Sequence, residues 1–242
     1  MNETLFVSDV HLDPKRSAIV DLFNQFLLKR AVHANAVYIL GDLFEYWNGD
    51  DAPYTEYTST FEALKTVSAA QVPVFFMHGN RDFLIARSFA DKTGIKLLPE
   101  EKVIELNGEK ILLMHGDTLC TDDIKYQAFR KKTHNKLYQW IVLHLPVSVR
   151  LKLANYLRNT SRQEIAEKSE QIMDVNQAAV EQAMRTHQVT TLIHGHTHRP
   201  DIHKFSKDQV SYTRAVLGDW YKHGSILAVT PSGMKLENFS TV

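Results

Sequence analysis

Five apolar runs in this chain stop abruptly at residues of the metal-binding and proton-transferring kinds. They end in Ser8-Asp9-Val10-His11, Gly41-Asp42, Gly79-Asn80-Arg81-Asp82, His115-Gly116-Asp117 and Gly195-His196-Thr197-His198. A short apolar run bounded by glycine reads as a buried strand and a sharp turn, because glycine lets the backbone reverse and approach an ion closely. In open α/β sheets, ligands collect beyond the carboxyl ends of the strands. In extended backbone, side chains at i and i+2 share a face, so His196 and His198 point into one volume. Each word alone has an ordinary explanation: a helix cap, a turn or a buried histidine. Five of them at strand ends narrow the fold.

The segments between those words alternate in period. Thr4–Ser8, Ala36–Leu40 and Val72–Met77 read as strands. Ile19–Arg30, with Ile19, Leu22, Phe23, Phe26 and Leu27 on one face, reads as an amphipathic helix, as do Ser59–Ala70 and Ile85–Thr93. Strand, helix, strand, helix, strand implies a largely parallel sheet with helices on its faces. Lys102–Leu106 and Lys110–Met114 flank Asn107-Gly108, a strong hairpin signal. From about 122 to 185 the pattern is helical only, with Pro146 expected to split it. Val189–Ile193 returns to strand, and Ile202–Phe205, Tyr212–Leu217, Ser225–Val229 and Met234–Phe239 read as antiparallel strands. The expectation is a single α/β domain over 1–242 carrying a helical insertion.

Composition bounds the chemistry. A chain of 242 residues with zero formal net charge buries a real core, and its overall charge predicts no polyanion partner. Twelve histidines favour metal or proton chemistry. Cys120 is the only cysteine, so no intrachain disulfide forms and a reducing compartment fits. The first residues lack a basic segment followed by a long apolar one, so no signal peptide is expected. The greasiest stretch, Trp140 to Val149, is too short to be a transmembrane segment.

The strand-end donors are Asp9, Asp42, Asn80 and the histidines 11, 115, 196 and 198. This oxygen and nitrogen set without thiolate suits Mn²⁺, Fe²⁺ or Zn²⁺ rather than Ca²⁺ or an iron–sulfur cluster. Seven donors are too many for one ion and fit two ions about 3.5–4 Å apart around a shared carboxylate. Asp42 is the natural bridge. Such a pair clamps a phosphate and lowers the pKa of water so that hydroxide attacks phosphorus in line.

In these words the chain resembles the calcineurin-like metallophosphoesterase superfamily, whose pattern is Asp-x-His, Gly-Asp, Gly-Asn-His-Asp/Glu, His and Gly-His-x-His. The resemblance implies a four-layer α/β/β/α metallophosphoesterase sandwich with a helical insertion, or cap, and a dinuclear site. It assigns Asp9, His11, Asp42 and His198 to one metal, and Asp42, Asn80, His115 and His196 to the other. One position departs: the usual histidine after Gly-Asn, which helps protonate a leaving oxygen, is Arg81 here. Arginine stays charged and grips phosphate oxygens instead, which favours a diphosphate substrate over a simple monoester.

Longer words are similar to the UDP-2,3-diacylglucosamine hydrolase family within that superfamily. They are 38–45 (YILGDLFE), 78–83 (HGNRDF), 114–123 (MHGDTLCTDD), 172–177 (IMDVNQ) and 193–200 (IHGHTHRP). That resemblance implies Mn²⁺ as cofactor, two ions per chain, and hydrolysis of a glycolipid nucleotide's pyrophosphate to UMP and 2,3-diacylglucosamine 1-phosphate on the way to lipid A. It implies catalytic roles for Asp42, Asn80, Arg81 and His196. Substrate contacts are implied at Asn80, Arg81, Asp123, Ser161, Lys168 and His196, with Tyr126 and Arg158 nearby. A family asparagine between Ser161 and Lys168 is Ile165 here.

The insertion carries an independent signal. From Lys125 to Gln163 there is no acidic residue, while nine lysines and arginines alternate with bulky apolar residues such as Leu137, Trp140, Ile141 and Leu151. A basic and apolar helical surface suits an anionic membrane face or a groove for acyl chains. The expected placement is peripheral, on the cytoplasmic face of the inner membrane. The ordinary alternative is a cap packing its apolar stripe on the body. Aromatic stacking positions are few, so no nucleic acid partner is expected, and no obligate protein partner is implied. Two rivals remain: a cyclic-nucleotide or dinucleotide phosphodiesterase, which has no use for such an insertion, and a non-catalytic binding protein, which would lack some of the donors.

Overall fold

The structure is a computed structural model describing residues 3–167 and 174–240, and side chains outside 158–167. Its first half builds a parallel sheet. Strand β1 (Thr4–Val7) pairs parallel with β2 (Ala36–Leu40), which pairs parallel with β3 (Val74–Met77) and through it with the short β4 (Lys96–Leu97). The crossovers are helices α1 (Ser17–Lys29), α2 (Thr58–Ala69) and α3 (Arg87–Thr93). In α1 the residues Ile19, Leu22, Phe23, Phe26 and Leu27 recur at helical spacing and are all buried against the sheet. Gly94, at φ 77°, ends α3.

A second sheet faces the first. Strands β5 (Glu101–Leu106) and β6 (Glu109–Met114) form the hairpin expected at Asn107-Gly108, both of which sit at positive φ (53° and 83°). Strand β7 (Thr191–His194) pairs parallel with β6. The chain end departs from the expected run of antiparallel strands. Strand β8 (Asp201–Lys207) is antiparallel to β9 (Val210–Val216), yet β9 lies parallel beside β7. Strands β10 (Gly224–Thr230) and β11 (Gly233–Phe239) return to the first sheet, where β10 is antiparallel to β1. Side-chain alternation registers that a strand has one buried face, not which sheet it joins.

Between the sheets, Phe6, Tyr38, Leu40 and Met77 from one meet Ile111, Leu113, Ile193 and Ala215 from the other. Helices α1 to α3 cover the outer face of the first sheet. Helix α7 (Gln177–Thr186) covers the second, with Val180 and Met184 fully buried against Leu112, Met114 and Leu192. The result is a four-layer α/β/β/α sandwich. Helix α7, within the segment expected as the helical insertion, spends its apolar stripe on the second sheet. The cap is α4 (Ile124–Thr133), α5 (Lys136–Leu143) and α6 (Val147–Glu167), with Pro146 between the last two.

Candidate metal centre

The carboxyl ends of β1, β2, β3, β6 and β7 meet at one rim of the sandwich, and backbone bonds lock their loops together. Asp9 N donates to Gly41 O at 3.1 Å, His11 N to Asp42 O at 2.9 Å, and Gly195 N to His115 O at 2.8 Å. The approach of β2 and β3 is possible because Gly41 and Gly79 lack side chains: a Cβ on Gly41 would lie 2.7 Å from Gly79 Cα, and one on Gly79 would overlap Asp42 Oδ1.

The loops converge all seven strand-end donors on one pocket. Oxygen Oδ1 of Asp9 faces His198 Nε2 at 3.3 Å and His11 Nε2 at 3.9 Å, and His11 Nε2 lies 3.9 Å from Asp42 Oδ2. On the other side of Asp42, His115 Nε2 is 3.9 Å from its Oδ1. Asn80 Oδ1 sits 3.1 Å from His115 Nε2 and 3.0 Å from His196 Nδ1. Donor atoms of Asp9, His11 and His198, and of Asp9, Asp42 and His115, lie within 4.8 Å of one another.

Five of these residues hold left-handed backbone: Asp9 (φ 52°), His11 (50°), Asp42 (53°), His196 (70°) and His198 (56°). This region costs an L-residue about 1–2 kcal/mol each. The turns persist because packed strands over-determine them, as at functional sites generally.

The donor set fits divalent cations. Asp9 Oδ1 and His11 Nδ1 are buried without a well-formed hydrogen bond. Burial pushes the Asp42 carboxyl up to about 7, against the pull of His115, since the protein alone does not balance its charge. Burial also opposes charge on Asp9, yet its contact with His198 and the nearby His115 and His11 hold it below the usual carboxylate range. His115 shows the converse: burial opposes its charge, but Asp42 and Asp9 push it up to about 9. Burial drops His196 to about 4, which leaves its ring neutral, as a ligand must be. His115 Nδ1 lies 2.8 Å from Leu40 O, a partner that turns Nε2 toward the pocket.

Arg81 closes one wall. Its backbone N donates to Asp42 Oδ1 at 2.9 Å, while its guanidinium lies 3.7 Å from Asp42 and donates to Glu45 at 2.8 Å. Asp123 caps α4, accepting from Tyr126 N at 3.1 Å. The ring of Tyr126 lies 5.8 Å from that of His196. Ser161 and Lys168, and with them Arg158 and Ile165, lie outside the described side chains.

Sequence reasoning passed over several supporting residues. Asp82 is fully buried and accepts from the backbone N of Asp42, Leu43 and Gly79. Asp117 accepts from Tyr126 Oη at 2.8 Å and Arg130 Nε at 2.6 Å, which fastens α4 beside the pocket. Asp219 lies 3.6 Å from His198 Nδ1. It follows Gly218 at the end of β9, a sixth strand end with the same Gly-Asp word as Gly41-Asp42. That repetition was available to find it.

The chain belongs to the calcineurin-like phosphoesterase family, whose profile matches residues 3–200. It is a hydrolase of that family. Within the family it is 51% identical, over 98% of either chain, to the UDP-2,3-diacylglucosamine hydrolases of Yersinia pestis bv. Antiqua (strain Angola) and Yersinia pseudotuberculosis serotype IB (strain PB1/+). Among solved structures, an archaeal phosphodiesterase matches with a TM-score of 0.47 and 13% identity, over 98% of this chain and 99% of that one.

Proposed function

We propose that this chain hydrolyses the pyrophosphate bond of UDP-2,3-diacylglucosamine with two Mn²⁺ ions, giving UMP and 2,3-diacylglucosamine 1-phosphate, a step toward lipid A. The observation that carries this is the meeting of seven oxygen and nitrogen donors beside a guanidinium, in a chain half identical to hydrolases named for that substrate. Asp9, His11, Asp42 and His198 would hold one ion, and Asp42, Asn80, His115 and His196 the other. When bound, such a pair polarises phosphoryl oxygens and acidifies water.

The chain's own residues then orient the diphosphate. Arg81 presents N–H groups to phosphate oxygens and stays charged throughout. Asn80 and His196, whose polar atoms lie 3.0 Å apart, would stabilise the negative charge added at the α-phosphorus. A water oxygen adds to that phosphorus, the anhydride P–O bond breaks, its electron pair leaves on the sugar phosphate, and one proton passes to solvent. Arg81 stays protonated and gives no proton to the leaving oxygen, which suits a phosphate leaving group. The alternative role for the pocket, a non-catalytic scaffold, is disfavoured by the presence of every donor.

The cap supplies the lipid side. Among the described residues, Ile124, Leu137, Trp140, Ile141 and Tyr156 are about half exposed or more, with lysines 125, 131, 136 and 152 exposed among them. No helix among the described residues is long and apolar enough to cross a membrane. We read this surface as peripheral attachment to the cytoplasmic face of the inner membrane, with acyl chains entering from it. The deciding experiment measures UMP release from the lipid-linked nucleotide with and without Mn²⁺. Wild type is expected to turn over only with metal and the Asp42→Ala protein not at all; near-normal activity of that variant refutes the assignment.

A further inference from the structure

One buried carboxylate outside the donor set touches two members of the pocket. Glu45 follows Asp42 in the same loop and is 8% exposed. Its Oε1 accepts from Arg81 Nη1 at 2.8 Å, and its Oε2 faces His11 Nδ1 at 3.6 Å. That nitrogen makes no hydrogen bond among the described residues. Tyr221 stacks on the His11 ring at 5.7 Å and 11°, and the Arg16 guanidinium covers Tyr221 at 4.7 Å. The stack offers the imidazole a face but no acceptor, which leaves Glu45 as the carboxylate facing Nδ1.

We infer that Glu45 is a positioning residue that orients His11 and Arg81 together. Opposite His11 it favours the proton on Nδ1, which leaves the Nε2 lone pair directed at Asp9, Asp42 and His198. Opposite Arg81 it competes with Asp42, 3.7 Å from Arg81 Nε, and holds the guanidinium off the bridging carboxylate. Metal affinity and phosphate grip are thereby tied to one side chain outside the donor set. The inference rests on the dinuclear reading proposed above.

The test measures two quantities in wild type, Glu45→Gln, Glu45→Ala, Arg81→Ala and the Glu45→Ala/Arg81→Ala double variant. The first is the affinity for Mn²⁺ alone, titrated without substrate. Glu45→Ala is expected to bind Mn²⁺ about 10–100-fold more weakly, as other partners of ligating histidines do, and to do so in the Arg81→Ala background as well. The second is hydrolysis of UDP-2,3-diacylglucosamine at saturating Mn²⁺. There Glu45→Ala should raise KM about tenfold with a smaller change in kcat, and add under threefold once Arg81 is gone, because the two act as one unit. Glu45→Gln, which keeps an acceptor oxygen of the same size, should recover most of the KM effect and covers the case in which the alanine variant fails to fold. Melting of the metal-free proteins serves as the control for structure. Unchanged Mn²⁺ affinity in Glu45→Ala and Glu45→Gln, or a full KM effect persisting without Arg81, overturns the inference. A wild type that binds no Mn²⁺ overturns the dinuclear reading instead.

Discussion

Replacing Asp82 with asparagine tests whether the centre is built by its scaffold or by its ligands. Asp82 ties the turn after β2 to the turn after β3, receiving N–H groups from Leu43 at 2.7 Å, Gly79 at 2.8 Å and Asp42 at 3.3 Å. Bonds to a charged acceptor are worth about 1.5–3 kcal/mol, and the longest of the three less. Asparagine keeps one acceptor oxygen and turns an NH₂ group against a buried N–H. Part of the loss returns, since burial opposes the charge and raises the pKa of Asp82. The net destabilisation should be about 2–4 kcal/mol. In urea this is a fall of about 1 M in the midpoint at unchanged slope. Mn²⁺ binding should weaken at the same time, because Asp42 and Asn80 flank the tie. A midpoint within about 0.2 M of wild type, with Mn²⁺ affinity intact, would refute the reasoning.

Gly79→Ala should abolish Mn²⁺ binding, since its Cβ would overlap Asp42 Oδ1 and lie 2.8 Å from Asp42 Cγ; Gly108→Ala, with nothing within 4 Å, should cost only the ~1 kcal/mol of a strained turn in a melting assay. Arg150 binds Asn48 O at 2.5 Å and the Asp51 carboxylate, which tethers the cap. Arg150→Met should therefore slow hydrolysis of the lipid-linked substrate severalfold while a small phosphodiester turns over as before. Glu100 is held at about 2 by its bond to His134, then by Arg130, so its contribution is present above pH 4.5 and lost as pH falls from 4.5 toward 2. Across that window the melting temperature of wild type should fall more steeply than that of Glu100→Gln, and parallel curves would dismiss the contact. Restoring histidine at 81 should leave diphosphate hydrolysis without a large gain; a large gain would show that the leaving group does need a proton.

The parallel half of the fold was legible because crossover helices and buried runs carry opposite periods: Ala36–Leu40 is a strand at the bounds its sequence implied. The donors were legible because each sits directly after a strand. Sheet assignment of β9 and β10 was not, since both read simply as strands and only the partner distinguishes them. The helix break at Asn135 escaped notice although asparagine is a strong N-cap, here accepting from Leu137 N and Tyr138 N. Asp82 and Glu45 were hidden for a different reason. Both stand inside words quoted for their neighbours, but their importance lies in what they hold across 36 to 40 residues of sequence, a pairing that spacing within one word does not reveal.

The left-handed turns at Asp9, His11, Asp42, His196 and His198 set stability against chemistry at the same five positions. Glycine there would relax the chain, and so would asparagine, in proportion to how readily each adopts that conformation. A library sorted for heat resistance alone would therefore enrich dead proteins, with its winners clustered at the rim where turnover is decided. Screens on this scaffold need a catalytic gate at every round.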